Sequence, residues 1–340
     1  MAKHLVTGGS GFLGNLIVKR LLDAGHEVIS LDIWEDSQKS KDVKFLKIDI
    51  RDYESVKKAM KGVSMVHHNA ALVPLTKSGK DFWSVNVEGS KCAARAALHA
   101  DVETFIHMSS SAIYGAPRDL PITPLTATNP IEIYGHGKLA GELAVQNIFN
   151  ETSVQFITIR PRTIIGRERL GIFNLLFNWI KEGRNIYTIG DGNNLFQFVH
   201  AFDLMDAYMI IAAKNKTGAY NVGTDKFGTL NEALLNVINH AQSESKVRHL
   251  PRRLAIGTLR ALDTLKLSPL APWHYLTYDK PFYFEISNLV NLGWKPKYSN
   301  DLMLAEAFDS IKSMKSATNE YSAHRKNVRE GFLYVLKKLS

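Results

Sequence analysis

Cysteine is almost absent from this sequence: Cys92 is the only one among 340 residues. A single cysteine cannot form a disulfide within the chain. This excludes a disulfide-stapled secreted scaffold and favours a reducing compartment. Cys92 precedes an alanine-rich helical pattern, so we predict that it is a small core residue rather than a nucleophile.

Long apolar runs are also missing, since no uninterrupted stretch is long enough to span a bilayer. The first residues lead directly into a predicted strand, with no room for a signal peptide. We therefore expect a cytoplasmic protein. The formal net charge is +9. However, the basic residues are scattered and no nucleic-acid motif accompanies them, so we expect no nucleic-acid partner.

What the sequence does contain is the composition of an ordinary globular protein, with 45% apolar and 22% charged residues. Apolar strand patterns alternate with helical patterns through the first half. This alternation predicts an α/β fold, with a parallel sheet covered by helices on both faces. The second half is less regular, and we find no internal repeat there.

The glycine-rich stretch Thr7–Gly14 organises the first half. It follows the apolar strand His4–Val6 and opens a helix, and a second strand, Glu27–Leu31, ends on Asp32. This order of strand, turn, helix, strand and acid predicts dinucleotide binding. The amino end of the helix offers unpaired N–H groups to the phosphates.

Each glycine of the turn has a physical reason within that prediction. Gly8 allows a tight turn, Gly11 lets the backbone approach the pyrophosphate, and Gly14 lets the helix pack close to the strand. Asp32 would accept hydrogen bonds from an adenosine ribose and repel the extra phosphate of NADP. Because no Arg or Lys follows Asp32 directly, we predict NAD as the cofactor.

A second set of polar residues lies where later strands end. Asn69 follows the fourth predicted strand and Ser109–Ser111 follow the fifth. Ligands on parallel sheets bind outside the carboxyl ends of the strands. We therefore expect these residues to meet the glycine-rich stretch in one crevice.

Tyr134 and Lys138 stand four residues apart in a predicted helix, so their side chains share a face. An ammonium group next to a phenol favours the phenolate and lowers its pKa. The phenolate can take a proton from a substrate hydroxyl that a Ser side chain holds in place. The same spacing recurs at Tyr53 and at Tyr334, but neither follows a strand-end serine cluster.

With these motifs in place, the sequence resembles an extended short-chain dehydrogenase/reductase of the NAD-dependent epimerase/dehydratase family. The matching pieces run in the expected order over nearly the whole chain: Thr7–Gly14, Asp32, Asp49-Ile50, Asn69-Ala70-Ala71, Asn86-Val87-Glu88-Gly89, Ser109–Gly115, Tyr134–Lys138, Arg160-Pro161, Phe198-Val199-His200, Asp203-Leu204, Tyr220–Gly223 and Leu292-Gly293-Trp294.

The resemblance implies a Rossmann-type doubly wound parallel sheet with a smaller C-terminal substrate domain. We predict an NAD-binding core over 1–165 to which 198–225 return, a substrate domain over 166–197 and 226–315, and an amphipathic tail over 316–340. It also implies a homodimer. The implied cofactor-binding residues are Gly8, Ser10, Gly11, Phe12, Leu13, Gly14, Asp32, Asp49, Ile50, Asn69, Ala70, Ala71, Asn86, Tyr134, Lys138 and Pro161.

The implied catalytic residues are Ser110, Tyr134 and Lys138. Ser111 is the fallback for Ser110, because the run of three serines leaves the register open. Ser111 and Arg162 are the candidate substrate-binding residues. We predict no metal site, since His67, His68, His107 and His200 lack the spacing of additional ligands.

The substrate is less well defined. Related dehydratases carry an Asp-Glu pair after the catalytic hydroxyl, where this chain has Ser111 and Ala112, which argues against dehydration. Phe196 stands where nucleotide-sugar enzymes carry an Arg that grips the diphosphate. The surrounding run Gly190–Phe196 also resembles the hydroxysteroid-dehydrogenase branch, and late aromatic residues suggest an apolar pocket.

Three functions therefore remain open. The first is an NAD-dependent epimerase of a sugar, which we expect to be nucleotide-linked. The second is a hydroxysteroid-type dehydrogenase of a bulky alcohol, and the third is a catalytically silent NAD-binding regulator. The basic segment Pro251–Leu267 is interpreted first as a core-facing helix, next as a cover over the substrate crevice, and only then as a membrane-surface helix.

Overall fold

The computed structural model describes residues 2–73, 81–167, 169–265, 270 and 272–313. The predicted tail over 316–340, with Tyr334 in it, lies outside these residues. Within the described ranges, no helix combines the length and apolarity needed to cross a bilayer.

The strands alternate with helices as the sequence pattern predicts. Their bounds are β1 (Lys3–Thr7), β2 (Glu27–Asp32), β3 (Lys44–Lys47), β4 (Met65–His68), β5 (Thr104–Met108), β6 (Gln155–Pro161), β7 (Thr163–Ile165), β8 (Ile186–Ile189), β9 (Phe198–His200), β10 (Gly218–Val222) and β11 (Val247–Leu250). Seven of them form one sheet in the spatial order β10-β6-β5-β4-β1-β2-β3. Every neighbouring pair in it is parallel.

The helices are α1 (Phe12–Asp23), α2 (Tyr53–Ala59), α3 (Asp81–Trp83), α4 (Ser90–His99), α5 (Ile133–Phe149), α6 (Phe173–Lys181), α7 (Ala201–Lys214), α8 (Leu230–His240), α9 (Arg252–Thr264), α10 (Pro272–Thr277), α11 (Ser287–Asn291) and α12 (Asn300–Ser313). A π-helical turn over Ser84–Gly89 joins α3 to α4. A 3₁₀ turn over Ser111–Tyr114 follows β5.

Helices cover the seven-stranded sheet on both faces. On one face, α1 and α7 bury Ile17, Leu21 and Leu204 against the strands. On the other face, α2, α4 and α5 bury Val56 and Val145 among other apolar side chains, Cys92 included. The predicted Rossmann-type doubly wound sheet is therefore confirmed.

The strand order reverses between β1 and β4, because β2 and β3 lie to one side of β1 while β4, β5 and β6 lie to the other. In open α/β sheets such a reversal opens a crevice at the carboxyl ends of the two strands. Here Thr7 ends β1 and His68 ends β4. The glycine-rich stretch and Asn69 thus begin on either side of this crevice.

The second half has a separate apolar cluster, formed mainly by α6, α8 and α12. A two-stranded parallel pair, β8 with β11, lies beside it, and β7 pairs with β9. The chain then returns to the large sheet, where β10 pairs with β6 from Gly218 opposite Ile157 to Val222 opposite Pro161. The predicted division into two domains at 165, 197 and 225 stays a prediction.

Several histidines lie inside the sheet rather than in the crevice. His4 Nδ1 lies 2.8 Å from His67 Nε2, and His67 Nδ1 lies 2.7 Å from the Tyr208 hydroxyl. Burial lowers the pKa of His4 to about 4 and that of His68 to about 3, so these rings are neutral core groups at neutral pH. Across the described part of the chain, no three His, Cys, Asp or Glu side chains cluster closely enough for a metal ion.

Candidate active site

Local packing requires glycine at two positions of the turn after β1. Gly8 has φ +67°, and a Cβ there would lie 2.8 Å from the backbone nitrogen of Ala70. A Cβ on Gly14 would lie 2.0 Å from the Gly8 carbonyl oxygen. A Cβ on Gly11 would have only the Gly8 carbonyl oxygen within 4 Å, at 3.2 Å. Gly11 therefore presents an open backbone to the crevice.

Asp32 joins the end of β2 to this turn. Its carboxylate accepts hydrogen bonds from the backbone N–H groups of Ser10 at 3.0 Å and Ile33 at 2.7 Å. Burial raises the pKa of Asp32, and those backbone hydrogen bonds oppose the shift. The Ser10 hydroxyl donates to the carbonyl of Trp34 at 2.8 Å. Ser10 thus fastens the turn to the segment after β2 instead of lining the crevice.

Thr7 has a positioning role that the sequence did not suggest. Its hydroxyl oxygen accepts hydrogen bonds from the backbone N–H groups of Asn69 and Ala70, both at 3.1 Å. The hydroxyl also lies 2.9 Å from His68 Nδ1. The end of β4 is therefore held beside the glycine-rich turn, and the only sequence signal was a Thr directly before the first Gly.

Asn86 lies behind the crevice wall, on the π-helical turn. Its side-chain oxygen accepts from the N–H of Leu72 at 2.8 Å, and its amide donates to the carbonyl of Leu72 at 3.1 Å. A Cβ on Gly141 of α5 would lie 2.4 Å from the Asn86 carbonyl oxygen. Asn86 thus fixes the segment after β4 and lets α5 pack closely, without itself lining the crevice.

At the far edge of the crevice, the Asp49 carboxylate accepts a hydrogen bond from Arg51 Nε at 2.9 Å. The hydrogen bond from Arg51 holds the pKa of Asp49 below its ordinary value. Arg51 also donates to the Ser84 hydroxyl at 3.1 Å. This pair fixes the loop that carries Asp49 and Ile50.

These elements enclose a crevice of about 400 Å³. It brings together most of the residues that the sequence proposed for the site: Gly8, Gly11, Phe12, Leu13, Asp32, Asp49, Ile50, Asn69, Ala70, Ala71, Ser110, Ser111, Tyr134, Lys138, Pro161 and Arg162. The others, Ser10, Gly14 and Asn86, support it from behind through the contacts described above.

Glu132 sets the position of Tyr134. It caps the amino end of α5, where its carboxylate accepts from the N–H groups of Tyr134 at 2.8 Å and Gly135 at 2.6 Å. Caps are usually Ser, Thr, Asp or Asn, so a Glu before the helix gave no recognisable signal in the sequence. With α5 fixed in this way, Tyr134 and Lys138 both line the crevice.

The structure separates the roles of neighbouring serines. The Ser110 hydroxyl lies close enough to the Tyr134 phenol to lower the pKa of that phenol, and its oxygen accepts a hydrogen bond from the N–H of Ala112 at 3.1 Å. Ser111 instead accepts from Arg162 Nη1 at 3.3 Å. Ser110, the first of the two candidates, is thus the serine placed beside the phenol.

The sequence predicts that Lys138 lowers the pKa of the Tyr134 phenol, and this effect is not found. Burial raises the pKa of Tyr134, while the hydrogen bond with Ser110 and the charge of Arg169 lower it. Lys138 Nζ donates to the carbonyl of Met108 at 2.9 Å, and burial lowers the pKa of Lys138 to about 8. Tyr134 and Lys138 both line the crevice because they share one face of α5, but the Lys138 ammonium binds the Met108 carbonyl instead of the phenol.

Arg162 is a buried cation in the wall of the crevice. Its Nε donates to the carbonyl of Gln197 at 2.9 Å. The guanidinium carbon lies 4.0 Å from the ring centre of Phe282 and 4.8 Å from that of Phe196. Nη2 is buried with no hydrogen-bond partner in the described part of the chain. Burial lowers the pKa of Arg162 to about 9.

Arg160, two residues earlier on β6, differs from Arg162 in having its counterion. Its guanidinium forms a buried ion pair with Glu142 of α5. It also donates to the Tyr114 hydroxyl at 2.7 Å and to the carbonyl of Pro124 at 3.0 Å. The Tyr114 hydroxyl donates in turn to Asn221 at 2.9 Å. This network fastens α5 to the sheet behind the crevice.

The crevice fits a dinucleotide at three independent points. The amino end of α1 faces it, the open backbone at Gly11 allows close approach of a pyrophosphate, and the Asp32 carboxylate is available at the end of β2. Arg169 adds a cation, with its guanidinium carbon 5.5 Å from the ring centre of Phe12. Together with Ser110, Tyr134 and Lys138, these features define an enzyme of the extended short-chain dehydrogenase/reductase class.

Comparison with known proteins makes the assignment specific. The family described as "NAD dependent epimerase/dehydratase family" matches residues 4–223, and the chain belongs to that family. It is therefore an NAD-dependent enzyme, and its cofactor is NAD.

Three relatives illustrate the range of the similarity. The Sinorhizobium fredii protein y4nG is 38% identical over 337 residues, covering 98% of this chain and 85% of its own. The UDP-glucose 4-epimerase of Lactobacillus helveticus is 29% identical, covering 92% of this chain and 97% of its own. The sterol-4-alpha-carboxylate 3-dehydrogenase, decarboxylating, of Mus musculus is 28% identical, covering 79% and 77%.

Proposed function

We propose that this protein is an NAD-dependent sugar epimerase that inverts a carbinol carbon through a transient keto intermediate. The observation that carries the proposal is that Ser110, Tyr134 and Lys138 line the same crevice as Gly11 and Asp32. The similarity to UDP-glucose 4-epimerase along nearly the whole chain supports it.

In this proposal each side chain has a definite task. Ser110 holds the substrate hydroxyl, and Tyr134 accepts its proton and later returns it. Bound NAD supplies the hydride acceptor at the crevice and a positive charge that favours the phenolate. Lys138, whose ammonium group donates to the Met108 carbonyl, would hold the nicotinamide ribose of the bound cofactor.

Arg162 and Ser111 are proposed to bind the sugar or the group attached to it. A buried guanidinium is costly without an anion or enough acceptors. Arg162 Nη2 has no such acceptor among the described residues, so a substrate oxygen, above all one of a phosphate or carboxylate, is a suitable partner. Dehydration is not proposed, because Ser111 and Ala112 offer no acid to expel water.

The second candidate function is a dehydrogenase of a bulky, apolar alcohol. It would use the same Ser110, Tyr134 and Lys138 but release the reduced cofactor after each turnover. One observation favours it: a second, apolar cavity adjoins the crevice. The similarity to a sterol dehydrogenase is consistent with it.

The state of the cofactor separates the two candidates. The purified protein should be denatured and its oxidised and reduced nicotinamide quantified per chain. An epimerase recycles its cofactor, so we expect near-stoichiometric retained NAD. Protein that emerges empty and binds NAD reversibly would favour the dehydrogenase, and protein that binds no nicotinamide would refute both.

Asp32 provides a test of cofactor choice. Asp32→Ala should weaken NAD binding about 10- to 100-fold, the effect of losing hydrogen bonds to a charged acceptor, and should weaken NADP binding far less. Because Asp32 also holds the N–H of Ser10, part of the loss will be common to both cofactors. The ratio of the two dissociation constants is therefore the quantity to measure.

Glu35→Ala is the matched control for Asp32, since it removes an exposed carboxylate three residues further along the chain. The control should leave both dissociation constants unchanged. An NAD-to-NADP ratio that Asp32→Ala does not alter would contradict the role assigned to this residue.

A further inference from the structure

A second cavity, which we call the apolar chamber, lies beside the crevice and has a volume of about 300 Å³. It is enclosed by residues of α6, β8, α8, β11, α9 and α10, among them Leu176, Leu234, Leu254 and Leu262. None of its described lining residues is Lys, Arg, Asp or Glu. Arg and Lys side chains make the strongest hydrogen bonds to a diphosphate, and the described lining of the chamber offers neither.

The chamber adjoins the reaction site directly. Ile172, Phe173, His274 and Tyr278 line both the chamber and the crevice that holds Ser110 and Tyr134. This shared wall is itself largely aromatic, with the Phe173 and Tyr278 ring centres 6.5 Å apart. A molecule whose carbinol carbon reaches Tyr134 can therefore extend its other end towards apolar surface.

Residues next to the shared wall point to the same kind of occupant. Phe196 is buried, with its ring centre 5.0 Å from that of Tyr278. It occupies the place where a diphosphate-gripping Arg was expected from the family pattern. Arg252, the first residue of α9, forms an ion pair with Asp279 and is thereby partly neutralised.

Helix α9 forms the outer wall of the chamber, and the opening of the chamber lies beside this helix at Leu254. Only Ala255 of this helix is buried, whereas Leu254 lines the chamber although 68% of its surface is exposed. A lining residue with that exposure marks a mouth open to the outside. Leu265, at the other end of the helix, is 66% exposed and does not line the chamber.

We propose that the apolar chamber binds a hydrocarbon group carried by the substrate. The substrate is then an alcohol joined to an aliphatic or alicyclic group, which enters past Leu254 while the carbinol carbon lies at Tyr134. This inference rests on the proposed function, because it takes the reacting carbon to be the one beside Ser110 and Tyr134. It names the substrate class that the sequence alone left open.

The test uses the full chain loaded with NAD and two homologous series of alcohols. Butyl, hexyl and octyl β-D-glucoside represent a lipid-linked sugar, and 4-alkylcyclohexanols of the same chain lengths represent an alicyclic alcohol. Dissociation constants are measured calorimetrically below micelle-forming concentrations. Each buried methylene should tighten binding about fourfold until the chamber is full.

Two variants of equal exposure provide the control. Leu254→Asn should weaken binding of the longest member about five- to tenfold and flatten the chain-length dependence. Leu265→Asn should leave both unchanged. Because both side chains are largely exposed, neither change should unfold the protein, which the melting temperature will verify.

The outcomes separate the chamber from the proposed chemistry. Chain-length dependence that is lost only in Leu254→Asn supports the chamber, and the series with the steeper dependence identifies the source of the hydrocarbon group. If affinity does not depend on chain length, or if both variants lose the same affinity, the proposed role of the chamber is wrong. The amount of retained NAD and the NAD-to-NADP ratio of dissociation constants in Asp32→Ala test the proposed function without any alkyl compound. The proposed function and the proposed role of the chamber can therefore fail independently.

Discussion

Replacing Tyr134 with Phe should lower kcat by roughly 10²- to 10⁴-fold, the usual contribution of a positioned general acid–base group. The variant keeps the ring, which packs edge-on against Phe82 with centres 6.4 Å apart. It loses only the hydroxyl group and the interaction of that group with Ser110. NAD binding, measured by titration of the purified protein, should therefore persist.

The control for this variant is in the same chain. Tyr53 has a lysine at the same spacing, and Lys57 Nζ lies 5.9 Å from the Tyr53 ring centre, but the pair lies on α2 and does not line the crevice. Tyr53→Phe should leave kcat unchanged on whichever sugar or alkyl alcohol the native protein turns over. Turnover that survives in Tyr134→Phe would mean that another group is the base.

Replacing Glu142 with Gln should lower the free energy of unfolding by about 3–5 kcal/mol, because it leaves the buried cation of Arg160 without its counterion. Both side chains of the pair are almost completely buried, at 10% and 4% exposure. Since a domain of this kind has a total stability of about 5–15 kcal/mol, the loss should be evident in urea unfolding curves.

An exposed ion pair gives the comparison for Glu142. Glu88 and Lys91 are 2.8 Å apart at the surface of the helical segment before α5, and Glu88→Gln should cost no more than about 1 kcal/mol. The double variant Glu142→Leu with Arg160→Met should recover much of the loss, since it removes both charges. A Glu142→Gln loss as small as that of Glu88→Gln would show that Arg160 is satisfied by Tyr114 and Pro124 alone.

The sequence identified the crevice well because its signals are local. Tight turns need glycine at fixed positions, and a carboxylate after a short strand lies at the sheet edge. These rules placed Gly8, Gly14 and Asp32 without knowledge of the fold. The alternation of strands and helices was equally informative, since the apolar strands of the seven-stranded sheet were long enough to be recognised.

Features that depend on distant contacts escaped prediction. The sequence favoured Ser110 but kept Ser111 as a fallback, because the choice between the two depends on where α5 and Arg162 approach the serine run after β5. The lowering of the Tyr134 pKa that was expected from Lys138 is not found, because burial raises this pKa and the groups that oppose the rise are Ser110 and Arg169. The short strands β7 and β11 are defined only by their partners from elsewhere in the chain.

The late arrival of β10 also affects the order in which this protein can be assembled. Until Gly218–Val222 has been synthesised, β6 is an edge strand whose backbone N–H and C=O groups have no neighbour on one side. Its apolar residues Ile157 and Ile159 pack in the cluster that α7 completes, and α7 itself is made only slightly before β10. A nascent chain ending before Gly218 thus exposes β6 as an open strand edge suited to pairing with another chain. Once Gly218–Val222 pairs with β6, the open edge of the sheet passes to β10.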